Sequence, residues 1–221
     1  MSNQRAFIFA NGILAHSDWL KTTLSAEDVL IAADGGLNHL QALGLVPQLL
    51  IGDFDSVTAE QVEWASAHGS QIERYPVAKN ETDLELALKA AQKLGCKEII
   101  IVAGLGGRLD QTLGNLSLLR LAELQASNVR FEDGNEEVFL IRGKAEITGQ
   151  AGDVVSLLPL WGVVTGIVTE NLAYPLRGET LYPEETRGIS NVMNTTTASV
   201  SINNGELLCV HTHNPLSLME Q

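Results

Sequence analysis

Short apolar runs alternate with helical patterns through the first two-thirds of this chain. A parallel sheet needs a crossover between successive strands, and that crossover is usually a helix. The alternation therefore predicts a mostly parallel sheet with helices on both faces. The predicted strands are Ala6–Ala10, Asp28–Ala33, Leu49–Ile51, Gln71–Tyr75 and Glu98–Ala103, and the predicted helices are Leu37–Leu43, Ala59–His68, Glu81–Leu94 and Leu109–Leu124.

The helix Glu81–Leu94 has the clearest signals. Thr82 is a suitable N-cap, and Gly95 ends the helical pattern. Apolar residues recur at helical spacing in this segment and in the last predicted helix, so we expect them to face the core. These core candidates are Leu84, Leu88, Ala91 and Leu94 in the first helix, and Leu113, Leu116 and Leu124 in the second.

The pattern changes after about Gly134, where helical periodicity disappears. Short Val-, Thr- and Leu-rich runs follow, separated by Gly, Asn or Pro, and Asn203-Asn204-Gly205 is a hairpin signal. We therefore expect a C-terminal antiparallel β-sandwich over residues 135–221, after an α/β domain over residues 1–134. Its predicted strands include Glu137–Ile141, Val154–Leu158, Gly162–Thr169, Ala198–Ile202 and Leu207–His211.

Charge and cysteine content restrict the possible partners and compartment. The 221 residues carry a formal net charge of −13. Nucleic acids and anionic membranes attract basic faces, so the sequence predicts neither as a partner. Cys96 and Cys209 have no metal-ligand spacing and form no disulfide framework, which favours the cytoplasm. The apolar run Val154–Val168 is too short for a membrane helix and is interrupted by Pro and Gly, so we expect a soluble protein.

Two carboxylates, Asp53 and Asp55, follow the apolar run that ends at Gly52. In extended geometry, residues two apart point to the same side. Ligands of open α/β sheets bind where strands end at their carboxyl side. Paired carboxylates at that place suit Mg²⁺, which usually binds one or two carboxylates plus substrate phosphates. The alternative is a turn whose Asp or Ser caps the next helix.

Three further turns carry polar or Gly-rich sequences, and turns of this kind gather along one edge of a parallel sheet. Carboxylates at that edge would repel one another without a cation, and Gly-rich turns expose backbone N–H groups to phosphate. Arg108 offers a planar fork for phosphate, and Lys79 offers a point charge. Each feature alone is also explained by helix caps or surface ion pairs, but together they favour a metal–phosphate site. The turns are Ala33–Gly36, Lys79–Asp83 and Gly106–Asp110.

The ordered motifs closely resemble those of the thiamine pyrophosphokinase family. The resemblance covers nearly the whole chain, from Ala10-Asn11-Gly12 to the final strands. The motifs are Ala-Asp-Gly-Gly at 33–36, Ile-Gly-Asp-Phe-Asp-Ser at 51–56, Thr-Asp-Leu-Glu at 82–85, Gly-Gly-Arg-Leu-Asp at 106–110 and Arg-Gly-Ile-Ser-Asn at 187–191.

The resemblance implies an ATP-dependent transferase that works as a homodimer. Family members transfer a pyrophosphoryl group from Mg-ATP to the thiamine hydroxyl, giving AMP and thiamine diphosphate. The α/β domain would be catalytic and bind Mg-ATP, and the sandwich would bind thiamine near the subunit interface. By similarity, the metal residues would be Asp53, Asp55 and Asp83, and the catalytic set would add Asp110 and Arg108. The ATP side would comprise Asp34, Gly35, Gly36, Lys79, Thr82, Gly106, Gly107, Arg108 and Gln111, and the thiamine side Ser190 and Asn191.

Two residues depart from the family pattern. Gln111 stands where many members have His, and it cannot transfer a proton near neutral pH. Asn80 stands where Asp is expected, which removes one negative charge. The base that accepts the thiamine proton stays open between Asp83 and Asp110. Trp161 matches no motif, so core packing is the favoured interpretation of it.

Two other classes of function remain open. A metal-dependent nucleotide phosphohydrolase would use the same acidic edge to direct water at a nucleotide. A non-catalytic sensor would bind thiamine or nucleotide without turnover, and the intact Asp set argues against it. The five histidines form no ligand spacing in the sequence, so we expect them to be surface or core residues: His16, His39, His68, His211 and His213.

Overall fold

In the computed structural model, which describes residues 4–124 and 126–213, the N-terminal strands pair in parallel. Their order is β6-β5-β1-β2-β3-β4. The strands of this unit are β1 (Arg5–Phe9), β2 (Val29–Ala33), β3 (Leu49–Gly52), β4 (Gln71–Arg74), β5 (Glu98–Val102) and β6 (Asn128–Glu132). The helices are α1 (Asp18–Thr23), α2 (Gly36–Ala42), α3 (Ala59–Ala67), α4 (Asp83–Lys93) and α5 (Leu109–Leu118), with a 3₁₀ turn at Ala122–Leu124.

Alternate residues of the parallel strands point to opposite faces of the sheet, and both faces are buried. Phe7 and Phe9 pack in one cluster with Leu20 of α1, Leu37 of α2 and other residues from these helices. Ile8, between the two phenylalanines, is also fully buried but lies outside that cluster. On this second face α4 contacts β1, β2 and β3. The predicted mostly parallel sheet with helices on both faces is therefore confirmed.

The C-terminal unit consists of two antiparallel sheets, with strand orders β12-β9-β14-β7 and β11-β10-β13-β8. One apolar cluster joins them, with Val155 and Leu157 from the first sheet and Val164 and Val200 from the second. This confirms the antiparallel sandwich. The strands are β7 (Glu136–Ile141), β8 (Lys144–Thr148), β9 (Val154–Leu158), β10 (Val164–Glu170), β11 (Arg177–Leu181), β12 (Asn191–Val192), β13 (Thr197–Ser201) and β14 (Leu207–Thr212).

The chain divides into compact units Met1–Asp133 and Gly134–Gln221. The outer limits of the predicted domains, residues 1 and 221, lie outside the described residues. In the part of the chain that the structure describes, no helix is long and apolar enough to cross a membrane.

Three sequence predictions about local structure are wrong. Asn203-Asn204-Gly205 makes no hairpin, because β13 and β14 join different sheets, and Asn204 instead pairs with Thr165. The Asn-Asn-Gly sequence correctly indicates a turn, and Gly205 has a positive φ of 98°. The same sequence does not indicate which strand pairs with β14. Leu113 is 54% exposed and Leu94 is 52% exposed, so neither is a core residue. Helix α5 ends at Leu118, and no residue within it is buried.

A buried ion pair at the start of the sheet determines part of the stability. Arg5 donates to Asp28 from Nε (2.9 Å to Oδ1) and from Nη2 (2.8 Å to Oδ2), and the N–H of Ser25 also donates to Oδ2 (2.8 Å). Burial alone would raise the pKa of Asp28, but these hydrogen bonds outweigh burial and hold it below its ordinary value. The carboxylate therefore stabilises the fold whenever it is ionised.

We expect Asp28→Asn to lower the free energy of unfolding at neutral pH by about 2–3 kcal/mol, because a buried charge-assisted pair is broken. The stabilisation is fully present above the unfolded-state pKa of about 4 and is lost as the pH falls through the lower folded-state pKa. Urea unfolding at several pH values should show wild type and variant converging in acid. The control is Asp18→Asn at an exposed pair with Lys21, which should change stability little. A constant gap between wild type and Asp28→Asn across this range would contradict the assignment.

Candidate functional site

Three carboxylates meet at the carboxyl ends of strands β2 and β3. Asp34 follows β2, Asp53 follows β3, and Asp83 is the first residue of α4. One carboxylate oxygen from each residue lies within 4.8 Å of the others. Because ligands of open α/β sheets bind at this edge, we call Asp34, Asp53 and Asp83 the carboxylate cluster and treat it as the centre of the candidate site.

Backbone conformation brings the cluster together. Asp34 has a φ of 46°, and its N–H donates to the carbonyl of Ile51 at 2.9 Å. Gly52 also has a positive φ, and a Cβ there would lie 3.0 Å from Asp83 Oδ1 and 3.1 Å from the Cβ of Asp34. A side chain at residue 52 would therefore crowd two of the three carboxylates, which explains glycine at the end of β3.

Lys79 lies between two members of the cluster. Its Nζ donates to Asp53 Oδ2 at 3.0 Å and makes an ion pair with Asp83 Oδ1, also at 3.0 Å. The hydrogen bond from Lys79 lowers the pKa of Asp53. Burial raises the pKa of Asp83, and the charges of Asp53 and Asp34 act in the same direction, so the attraction of Lys79 does not compensate.

Two buried oxygens of the cluster fit a hard cation. Asp34 Oδ1 and Asp83 Oδ1 are buried and accept no hydrogen bond within the described residues, although Asp83 Oδ1 keeps its ion pair with Lys79. A buried charged oxygen without a hydrogen bond is costly. One lysine also leaves the three carboxylates with excess negative charge. A divalent cation with a preference for oxygen ligands, such as Mg²⁺, matches this donor set.

A cavity of about 540 Å³ borders the cluster, lined in part by Asp34 and Asp83. Part of its wall comes from the turn after β5, where Gly106 and Gly107 have φ values of 81° and 73°. Glycine adopts such angles without strain, and the resulting turn presents backbone rather than side chains. Arg108, next in the chain, also lines the cavity, so positive and negative groups share it.

Arg108 and Asp110 form an ion pair at the N-terminal end of α5. Arg108 Nε lies 3.1 Å from Asp110 Oδ1, and its Nη2 lies 2.6 Å from Oδ2. The hydrogen bonds from Arg108 lower the pKa of Asp110. Both side chains are mostly exposed, so the pair can open at little cost. Asp110 does not line the cavity and does not belong to the carboxylate cluster.

Asp55 stands outside the carboxylate cluster, although the sequence pattern predicts that it lies on the same side as Asp53. Phe54 between them has a φ of 67°, which breaks the extended alternation on which that expectation depended. The N–H of Asp55 donates to Asp53 Oδ1 at 3.2 Å, and Asp55 Oδ1 accepts from Ser56 Oγ at 2.8 Å. Asp55 still lines the cavity, but the structure groups Asp34, instead of Asp55, with Asp53 and Asp83.

Gly35 and Gly36 serve close packing. Both are buried and absent from the cavity lining, whereas Thr82, which caps α4, lines it. A side chain at residue 35 would collide with the amide of Asn11, and one at residue 36 would collide with the carbonyl of Phe9. The predicted exposure of these glycines to phosphate therefore has no support in the geometry.

Sequence reasoning missed two amides of the cavity wall, Asn11 and Asn115. Asn11 follows β1, so it carries the same strand-end signal as the aspartates. Asn115 lies one helical turn after Gln111 on α5, and residues at this spacing share a face. Its Nδ2 donates to the carbonyl of Gly104 at 2.7 Å, which joins α5 to the turn after β5.

The predicted thiamine-side residues lie in the C-terminal unit and differ in their environment. Ser190 is exposed, has a φ of 59°, and donates its N–H to Ser156 Oγ at 3.0 Å. Asn191 is 7% exposed. Its amide accepts from the N–H of Tyr174 (3.0 Å) and donates to the carbonyl of Tyr174 (2.8 Å). Asn191 therefore holds a loop, whereas Ser190 is exposed.

Comparison with known proteins gives matches over both units. The family model described as the catalytic domain of thiamin pyrophosphokinase matches residues 20–131. The model described as the vitamin B1 binding domain of thiamin pyrophosphokinase matches residues 144–207. A curated relative, thiamine pyrophosphokinase of Bacillus subtilis, is 26% identical over 182 residues, which cover 81% of this chain and 85% of the relative.

Solved structures share the fold over almost the full chain. The thiamine pyrophosphokinase structure from Bacillus subtilis aligns with a TM-score of 0.86 and 24% identity, covering 96% of this chain and 100% of the other. The structure from Candida albicans aligns with a TM-score of 0.83 and 18% identity, covering 96% and 90%. The yeast structure aligns with a TM-score of 0.81 and 14% identity, covering 100% and 89%.

Proposed function

The chain belongs to the thiamin pyrophosphokinase family of enzymes, and we propose that it transfers a pyrophosphoryl group from Mg-ATP to the hydroxyl of thiamine. The observation that carries this reaction is the carboxylate cluster beside a cavity that also contains Arg108 and a glycine turn. Transfer of phosphoryl-type groups depends mainly on alignment and on neutralising oxygen charge. This cavity combines groups for both tasks.

The bonds made and broken follow from the products. The hydroxyl oxygen of thiamine forms a bond to the β-phosphorus of ATP. The bond from that phosphorus to the oxygen bridging it to the α-phosphate breaks, so AMP leaves and thiamine diphosphate forms. A Mg²⁺ ion held by Asp34, Asp53 and Asp83 would neutralise charge on the polyphosphate. The proton of the hydroxyl passes to a protein carboxylate or to solvent.

Arg108 is suited to hold phosphate oxygens. Its guanidinium is a planar donor that binds phosphate through two hydrogen bonds, and its present partner Asp110 is an exposed carboxylate that phosphate can replace. The backbone N–H groups of Gly106 and Gly107 lie next to it in the turn that lines the cavity. Together they would orient the polyphosphate for in-line attack.

Asp83 and Asp110 both stay candidates for the group that accepts the proton. Burial raises the pKa of Asp83 in the protein without ligands, whereas the hydrogen bonds from Arg108 lower the pKa of Asp110. A Mg²⁺ ion bound to Asp83 would favour the ionised carboxylate and oppose the effect of burial, so the pKa directions do not select between the two residues. Asp83 lines the cavity, and Asp110 does not.

Ser190 is proposed to contact thiamine. We expect Ser190→Ala to raise KM for thiamine about 2- to 10-fold, because one hydrogen bond to thiamine would be lost. The KM for ATP should stay nearly unchanged. The control variant is Ser66→Ala, at an exposed serine of α3. Steady-state kinetics with each substrate varied separately would measure both constants. An unchanged KM for thiamine would remove Ser190 from the site.

A cytoplasmic homodimer completes the proposal. Cys96 and Cys209 are both free and buried, which agrees with a reducing compartment. The net charge of −13 favours attraction of the cationic thiamine ring. Dimerisation depends on the family resemblance, and sedimentation over a range of protein concentrations would test it. A monomer that is active at every concentration would refute it.

Product identification separates the proposed reaction from its alternatives. The protein is mixed with thiamine, ATP and Mg²⁺, and the products are identified by mass spectrometry. We expect AMP and thiamine diphosphate in equal amounts, with no ATP consumed when thiamine is omitted. Phosphate or ADP without thiamine diphosphate would instead indicate a phosphohydrolase, and ligand binding without products would indicate a sensor.

A further inference from the structure

Two histidines and an aspartate converge at one point of the C-terminal unit. His211 lies on β14, His213 follows the same strand, and Asp153 precedes β9. Each offers one ligand atom, and these atoms all lie within 4.8 Å of one another. His211 is fully buried, and Asp153 is 3% exposed. His211 is a buried residue and His213 is partly exposed, as expected from the sequence, but the two share a face because they are two residues apart along the strand direction.

The distances match a metal site. His211 Nε2 lies 3.1 Å from Asp153 Oδ2, and His213 Nδ1 lies 3.5 Å from the same oxygen. Tetrahedral Zn²⁺ with bonds of about 2.0–2.1 Å holds neighbouring ligand atoms about 3.3 Å apart. From these contacts we propose that Asp153, His211 and His213 bind a divalent transition-metal ion of the Zn²⁺ class.

Two features of the surroundings support a metal site. Glu137 Oε2 lies 3.8 Å from Nδ1 of His211, the ring nitrogen that is buried without a hydrogen bond. A carboxylate behind a histidine ligand is the usual arrangement at zinc sites, because it orients the ring and fixes its tautomer. A side chain at residue 149 would collide with Asp153 Oδ2 and the ring of His211, so Gly149 leaves room for these two ligands.

The donor set also indicates the kind of ion. Two imidazole rings and one carboxylate supply nitrogen and oxygen ligands at one point. Imidazole ligands select Zn²⁺-like ions over Mg²⁺.

The metal would join the end of β14 to the turn before β9. Both strands belong to the same sheet, and β14 pairs with β9 through Thr212 and Val154. A bound ion would therefore stabilise this unit instead of taking part in phosphate chemistry. Its predicted signature is a higher Tm in Zn²⁺ that does not depend on ATP or thiamine.

The test uses untagged, chelator-treated full-length protein titrated with Zn²⁺ in excess Mg²⁺, which is added to occupy the proposed Mg²⁺ site at the carboxylate cluster. Calorimetry should show one Zn²⁺ per chain, and His213→Ala should weaken this binding at least about tenfold. His213 is partly exposed, so this variant is expected to fold. The control His68→Ala, at an exposed histidine of the other unit, should bind Zn²⁺ as wild type does.

Cobalt gives an independent readout. Co²⁺ in a site with nitrogen ligands absorbs visible light, and this absorption should be present in wild type and in Asp53→Asn but absent in His213→Ala. Equal Zn²⁺ binding by wild type and His213→Ala, or no Zn²⁺ binding in excess Mg²⁺, would overturn the proposal. The second result would mean that protonated histidines alone make the contacts. Neither result bears on the pyrophosphoryl transfer.

Discussion

Replacing Asp53 with asparagine is expected to lower kcat by at least about 10²- to 10³-fold, the effect of losing one electrostatic stabiliser of a transition state. Asparagine keeps the size of the side chain but removes the charge that would hold the metal. The fold should survive because Asp53 is at a strand end and Lys79 keeps its ion pair with Asp83. AMP formation measured by chromatography gives kcat, and circular dichroism checks the fold.

The matched control for this variant is Asp18→Asn. Asp18 is an exposed aspartate of α1 whose partner is also an exposed side chain, Lys21. The same chemical change there should leave kcat unchanged. Full turnover by a well-folded Asp53→Asn protein would remove the carboxylate cluster from the mechanism.

The second large effect is expected from Asp34→Asn, a residue that sequence reasoning placed on the ATP side without a metal role. We expect kcat to fall at least about 10²-fold, again because a metal carboxylate is lost. Asparagine tolerates the positive φ at residue 34. Removing one of three crowded negative charges should also leave Tm unchanged or raise it. Loss of activity without loss of stability is the signature of this site.

Asp55→Asn is the matched comparison for Asp34→Asn. Asp55 lines the cavity but bonds to Ser56 and stands outside the cluster. Asp55→Asn should therefore reduce kcat less than Asp34→Asn does. The Mg²⁺ concentration that gives half the maximal rate should also rise less in Asp55→Asn than in Asp34→Asn. Kinetics at several Mg²⁺ concentrations would measure both. A larger defect in Asp55→Asn than in Asp34→Asn would show that the chain rearranges around substrate and that the structural grouping does not hold during turnover.

Strand ends were predictable from the sequence, but the direction of the side chains at those ends was not. The apolar runs and Gly-Asp turns fixed which aspartates reach the site edge, because strand length and turn residues are local properties. The pairing of Asp53 with Asp34 depends on the positive φ values of Asp34 and Phe54. Neither residue is glycine, so the sequence carried no signal for those angles.

The residues that pack against one another could also not be predicted from the sequence. Leu113 has the spacing of a core residue, but α5 buries none of its residues in this chain. Gly35 and Gly36 looked like a phosphate turn and instead make room for Asn11 and Phe9. The convergence of Asp153 with His211 joins residues 58 positions apart, and only the antiparallel pairing of β14 with β9 brings them together.

The position of the divalent ion tests the central claim most directly. Crystals grown with Mn²⁺, in place of Mg²⁺, and a non-hydrolysable ATP analogue would locate the ion by its anomalous scattering. We expect a peak coordinated by carboxylate oxygens of Asp34, Asp53 and Asp83, with the phosphates of the analogue in the adjoining cavity. A peak held by Asp55 or Asp110 without the carboxylate cluster, or phosphates bound with no ion at the cluster, would contradict the account.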